Sequence, residues 1–497
     1  MPSVDIKNFT EGLYTDVAIH NVPSGIGGTG AGLYVMDNVV TSYKIGSILK
    51  RPGYVQIGSV LEAGNSITGM FNYRESAATQ VMLATVNDST DDDTQLFWST
   101  GAGWTEITGA ETAWAGEANV NVEMEHFIGE CFFVGHSTVD GFLPPRNYRH
   151  STTTFGTNNT TSMPNAKYIK RYRDRLFIAN TDIAGTATPF RVYYSTVPAA
   201  GAITWTTASN FFDVDYDEEI TGIGVNWDRL MIFTEYSAYM VTGVSPLVRK
   251  KIWDRGCADH RTIKNHGSMM IWADMDGVWV SQGGGDPVNI AGRVIDFIKF
   301  SNMTNSFSEI VDEEYHLYIG GVTVNGITYA NCTVILNIPT MTWRVHEYFD
   351  AMSIFAKFYS SGQDFLYMGA TDGEVHRLGK YTDSTILTTD DTTPIHSWFQ
   401  TGAIDFGVPA ERKILNKMFA YADRAQGLML KSRVVDANNQ AVTEWKPLGE
   451  LVKYINEFYI NPDKANFIQI EGVENGSNQY WSLFGFSFDV EQEGSFK

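Results

Sequence analysis

Chemistry needs particular residue types at particular spacings, and this chain offers several near misses. Its ten histidines are scattered, with no His-Glu-x-x-His and no paired Cys-x-x-Cys, so a catalytic metal has no motif behind it. His316 and His376 fall in stretches that read as strands, where a satisfied structural histidine is expected. Gly25, Gly27 and Gly30 spell Gly-x-Gly-x-x-Gly, the spacing that cradles a pyrophosphate. A dinucleotide site also needs a strand directly before the glycines and an acid beyond them, whereas here Pro23 precedes and Lys50-Arg51 follows. The expectation is a mobile surface loop. Asp213, Asp215 and Asp217 open like a calcium loop, but Glu218 stands where glycine is required and Gly224 where a bidentate glutamate belongs. Asp91-Asp92-Asp93 repel one another and are expected in a solvated loop within residues 87–94. No Gly-x-Ser-x-Gly elbow occurs, and the Asp-rich turns at Asp274-Met275-Asp276-Gly277 and Thr371-Asp372-Gly373 do not match the Asp-box of propeller glycosidases. The expected chemistry is therefore none: no catalytic residues, no cofactor and no metal.

The elements that would position such residues are short β-branched or aromatic strands bounded by Gly, Asp or Pro. Seven apolar runs recur at a spacing of roughly 40 to 54 residues, as expected for four-stranded repeats. They are Val81–Ala84, Cys131–Val134, Leu176–Ala179, Leu230–Phe233, Met269–Trp272, His316–Ile319 and Phe365–Met368. This pattern predicts an all-β chain with an irregular β-propeller of six to seven blades over residues 66–381. A β-sandwich would also give short strands, but one sandwich rarely exceeds ~250 residues. Residues 1–65 read as a separate N-terminal segment, 382–394 as a Thr- and Asp-rich linker, and 395–497 as a C-terminal β-sandwich. The alternation Phe484-Gly485-Phe486-Ser487-Phe488 marks one packed and one exposed face.

Composition narrows the function classes. Aromatics make up 13% of the chain and charged residues 19%, which fits a folded protein. No apolar run reaches the ~20 residues of a membrane span, and the sequence start lacks the features of a secretion signal. Cys131, Cys257 and Cys332 are far apart and odd in number, so buried thiols are expected, consistent with a reducing compartment. A net charge of −21 argues against a surface that grips nucleic acid throughout, while a like-charged wall would let a duplex slide past.

Asp37-Asn38-Val39-Val40, followed by Gly46-Ser47-Ile48-Leu49-Lys50-Arg51-Pro52-Gly53, resembles the start of the tail nozzle (tail tubular) proteins of short-tailed bacteriophages. Arg229 to Gly243, with Val244-Ser245-Pro246 behind, is similar to a blade of that family, and Gly256-Cys257 through Asp276-Gly277-Val278-Trp279 to the next. Ile404-Asp405-Phe406-Gly407 with Lys413 resembles the opening of its C-terminal domain. The resemblance implies a structural virion protein. Six copies would form a ring below the portal and its adaptor, with genome DNA passing without sequence recognition and fibres or tailspikes attached outside. The N- and C-terminal parts would form a platform, and Asn38, Lys50, Arg51, Pro52 and Gly53 would serve structure or docking. The alternative is a phage tail propeller that binds or cleaves host surface glycans.

Overall fold

The computed structural model describes residues 3–26, 30–41, 43, 46–88, 90, 93–116, 120–137, 139, 141–243, 247–360, 362–407, 412–423, 427–435, 441, 443–460, 464–476 and 479–492. Parts of the glycine run (Gly27 to Thr29), of the aspartate loop (Ser89, Asp91, Asp92) and of the turn at Val244 to Pro246 lie outside them. Among the described residues the chain is all-β. Among them α-helix is limited to Ala110–Ala113 and Ile295–Lys299, and no described sheet closes into a barrel.

Seven antiparallel sheets follow one another along the chain, over residues 67–106, 121–156, 165–213, 220–253, 264–289, 307–347 and 352–378. In each, the strands lie side by side in essentially chain order, as short turns dictate. All seven apolar runs singled out in the sequence fall in the second strand of a sheet. The reason is packing on both faces. Side chains alternate across a strand, so Cys131 and Phe133 join a cluster with Tyr73 and Leu83 of the preceding sheet. Phe132 and Val134 point the other way, to Ile169 and Ile178 of the following one. Leu230 and Ile232 divide from Met231 and Phe233 in the same manner. A strand buried on both faces reads as a continuous apolar run rather than an alternating one.

These interfaces form a cyclic series. The cluster holding Met82, Ala84, Phe365 and Tyr367 joins the 67–106 sheet to the 352–378 sheet, the first to the last. The first strands follow the same order: Ile67–Arg74 touches Asn121–Phe127, and so on around to Met352–Ser360, which touches Ile67–Arg74 again. The last sheet takes its outer strand from the N-terminal part of the chain. Tyr54–Gln56 runs antiparallel to Val375–Leu378, with His376 opposite Gln56.

Beyond the cycle lie two larger sheets sharing one core. Strand Gly32–Asp37 adds in parallel to Thr342–Glu347, extending the 307–347 sheet through His396–Thr401, Phe467–Asn475, Met429–Val435 and Lys446–Glu450. The facing sheet is built on Lys413–Asp423 and Ser482–Gln492, with Ser3–Lys7 and Ile48–Lys50 on the latter and Ile455–Tyr459 at its edge. Phe399, Leu430 and Ile470 of the first sheet share a cluster with Met418, Phe486 and Phe488 of the second.

The described parts differ from expectation at two places. The stretch read as a linker carries Thr389–Asp390 and Thr393–Pro394, a small hairpin attached to Tyr54–Gln56. A Thr- and Asp-rich composition there signals turns whose backbone is paired. Asp88 and Asp93, in the loop expected to be solvated, are buried, and Asp88 accepts from Thr90 N–H at 2.8 Å and Gln95 Nε2 at 3.0 Å. At the ends of the glycine run Ser24 bridges Ala31, and a Cβ on Gly32 would lie 2.7 Å from the Tyr14 ring.

Candidate functional site

The residues that carry the family resemblance converge on one buried knot. Asn38 follows strand Gly32–Asp37 in the left-handed region, at φ 55°, a conformation its short amide side chain tolerates. Its Oδ1 accepts from Arg51 Nε at 2.6 Å and from Glu347 N–H at 2.9 Å, and its Nδ2 donates to the His396 carbonyl at 2.8 Å. The Arg51 guanidinium is fully enclosed. It holds both carboxylate oxygens of Asp390, at 2.7 and 2.5 Å, and donates to the Glu347 carbonyl at 2.8 Å. The Tyr348 ring lies beneath it at 5.0 Å. Burial pulls the Arg51 pKa down, but the Asp390 carboxylate outweighs burial and holds the guanidinium charged. Lys50 points the other way along its strand, to Glu474 Oε2 at 2.7 Å, with both side chains at 0% exposure. There burial wins and lowers the ammonium pKa against the pull of Glu474.

Pro52 and Gly53 then turn the chain toward the cycle. Gly53 N–H donates to the Leu387 carbonyl at 2.9 Å, and its own carbonyl accepts from Gly379 N–H at 2.8 Å. A Cβ on Gly53 would lie 1.7 Å from the Thr389 carbonyl oxygen, so only glycine fits. The five residues thus tie the N-terminal strands, the last sheet of the cycle and the C-terminal sheets together. Their charged groups are enclosed within the chain, out of reach of another molecule. Sequence reading picked out Lys50 and Arg51 but missed Glu474 and Asp390, which lie 424 and 339 residues away and stand in no motif.

A second polar region occupies the middle of the cycle. The first strands enclose a cavity of about 300 Å³ lined by Glu123, Lys170, His260, Lys264, Glu309 and their apolar neighbours. Lys170 pairs with Glu125 at 2.9 Å and Lys264 with Glu309 at 3.4 Å, while His260 Nε2 lies 3.4 Å from Glu123 and its Nδ1 accepts from Ile223 N–H at 3.2 Å. Burial alone would raise the Glu123 pKa, but His260, Arg261 and Lys264 more than cancel that and hold it below the usual carboxylate range. A volume of this size suits a few waters or a small molecule, and no nucleic acid duplex can thread it.

A third cluster lies where Tyr54–Gln56 meets the last sheet. Among the described residues, Asp350, Glu374 and His376 form a group whose potential ligand atoms all lie within 4.8 Å of one another. His376 Nε2 is 3.5 Å from Asp350 Oδ2 and 3.5 Å from Glu374 Oε2. The imidazole is completely buried, lies tilted against the Tyr54 ring at 4.7 Å between ring centres, and has no hydrogen bond at either nitrogen. Burial holds its pKa below the usual histidine value. His316, the other strand histidine, is fully buried beside Glu314 and Arg344, and burial lowers its pKa to about 4. Cys131, Cys257 and Cys332 are buried free thiols.

No family model matches the sequence, and no curated protein does. Among solved structures, the chain is similar to the extracellular domain of BT4673 from B. thetaiotaomicron, at 11% identity and a TM-score of 0.43 over 92% of this chain. The match spans 63% of that protein's chain. It is also similar to the CNH domain of AfRom2, at 10% identity and a TM-score of 0.40, over 66% of this chain and 99% of that one.

Proposed function

We propose that the chain is a structural subunit of a short-tailed phage tail, a nozzle protein without catalytic activity. In this reading the seven sheets are the blades of a β-propeller, and the two larger sheets are the platform that docks upward on the portal–adaptor ring. Six copies surround an axial channel through which genome DNA is retained and released, and outer loops hold fibres or tailspikes.

One observation carries the reading. The residues on which the resemblance rests, Asn38, Lys50, Arg51, Pro52 and Gly53, build the joint between the cycle and the terminal sheets. A fully buried polar joint of this kind suits an architecture in which the two parts hold a fixed relative position, as a load-transmitting ring requires. The narrow centre of the cycle, with a cavity of about 300 Å³, fits this reading only with the DNA path between subunits and not through any one of them.

The test is electron microscopy of the purified protein, alone and mixed with a portal–adaptor complex. The expected result is a six-fold ring, free or formed on the adaptor, with the terminal sheets facing the adaptor. Particles that stay single in the presence of that complex would overturn it. Cleavage of host surface polysaccharide, abolished by one carboxylate substitution, would assign the chain to glycan processing instead.

A further inference from the structure

The His376 side chain poses a problem of hydrogen bonding. A neutral imidazole carries one N–H and one lone pair. If the lone pair is on Nε2, it faces two carboxylate oxygens, which repel it. If the proton is there, it is shared between two acceptors at 3.5 Å each, beyond the 2.7–3.2 Å of an ordinary N–H···O bond. Neither tautomer satisfies a ring that is completely buried. A cation at the common focus of the three side chains resolves the conflict, because it turns both the lone pair and the carboxylate oxygens into ligands.

We propose that Asp350, Glu374 and His376 bind a divalent transition-metal ion, with Zn²⁺ the best fit, at the seam where the N-terminal strand Tyr54–Gln56 completes the last sheet. Ligands about 2.0–2.1 Å from a tetrahedral zinc stand about 3.3–3.4 Å apart, close to the 3.5 Å from His376 Nε2 to each carboxylate, and with the whole group within 4.8 Å a small rotation of the partly exposed carboxylates completes the set. Octahedral ions of the magnesium type draw neighbouring ligands closer and take oxygen in preference to imidazole. Asp350 and Glu374 are partly exposed, at 20% and 26%, so an ion has an entry path and a solvent position for the fourth ligand. The ligands come with support. Tyr54 O–H donates to Asp350 Oδ2 at 2.6 Å and accepts from Asp350 N–H at 3.1 Å, fixing the carboxylate as outer-shell partners of metal sites do. The ion would hold three parts of the seam together: the entry to Met352–Ser360 through Asp350, the turn before Val375–Leu378 through Glu374, and that strand itself through His376.

The experiment uses the full chain without an affinity tag, freed of metal by chelation and dialysis. Calorimetric titration with Zn²⁺ is expected to show one equivalent bound per chain, with a rise in melting temperature, and Co²⁺ is expected to give the visible absorption of a tetrahedral site. Glu374→Gln and Asp350→Asn change partly exposed side chains, and each is expected to weaken Zn²⁺ binding at least ten-fold and to remove the Co²⁺ signal. His376→Gln should do the same. Should that buried change prevent folding, the two carboxylate variants decide. Absence of saturable binding, or an affinity left unchanged by Glu374→Gln, would overturn the proposal.

Discussion

At the scale of single residues, the knot around Arg51 makes the sharpest stability prediction. Asp390→Ala leaves a fully buried guanidinium without its bidentate partner, and the expected cost is about 3–5 kcal/mol in equilibrium denaturation. Replacing Lys50 and Glu474 together by Met and Leu removes both charges at once and should cost far less than either change alone, which a double-mutant cycle measures. His316 makes a pH prediction. Its folded pKa of about 4 lies below the ordinary histidine value of 6.5, so between those values the unfolded chain binds the extra proton. Its contribution is therefore fully present above pH 6.5 and is lost as pH falls toward 4, by about 3 kcal/mol at 1.36 kcal/mol per unit. Urea titrations of wild type and His316→Gln across that window should converge or cross by this amount as pH falls, and parallel curves would refute the assignment. The sequence revealed one half of each buried pair. Lys50 and Arg51 stand out at the end of a strand, but nothing in the local pattern distinguishes Asp390 or Glu474 from the other acids, because only the tertiary fold brings them near.

Among the elements, the turn at Pro52-Gly53 decides whether the N-terminal part of the chain can reach its places in two sheets. Gly53→Ala puts a carbon into the Thr389 carbonyl and must displace the backbone that pairs with Leu387 and Gly379. The expected outcome is a detached Tyr54–Gln56 strand, seen as fast hydrogen exchange over Val375–Leu378. At the opposite end, Ile455–Tyr459 is the open edge of its sheet and exposes Ile455 and Tyr459, with Tyr454 beside it. An open apolar edge invites pairing. If it meets a neighbouring subunit, Ile455→Lys and Tyr459→Lys should weaken ring formation in sedimentation while leaving the melting temperature unchanged. The second strands of the seven sheets were legible because burial on both faces writes an unbroken apolar run. The first strands were not: facing a polar cavity, they mix Glu123, Lys170 and Lys264 with apolar residues, and the pattern dissolves. The hairpin of Thr389–Asp390 and Thr393–Pro394 was hidden for a similar reason, since turn-forming residues hold a hairpin as readily as a linker.

For the whole molecule, the balance of charge makes a prediction about DNA. At a net charge of −21 the chain should not retard duplex DNA at physiological salt, measured by anisotropy of a labelled fragment, because few phosphates could be neutralised. Saturable, salt-sensitive binding would count against a channel that lets DNA slide. The order of sheets along the chain was readable from repeat spacing. Residues before position 65 are shared between the cycle and the terminal sheets. That sharing has a consequence on the ribosome. Tyr54–Gln56 emerges early, yet its partner strand ends at Leu378, and Ser3–Lys7 pairs with a strand that ends at Gln492. At about 5–20 residues per second, the early segments wait on the order of tens of seconds for their partners. During that interval Lys50 and Arg51 remain hydrated charges, which keeps the waiting strands apart from other nascent chains until Asp390 and Glu474 arrive.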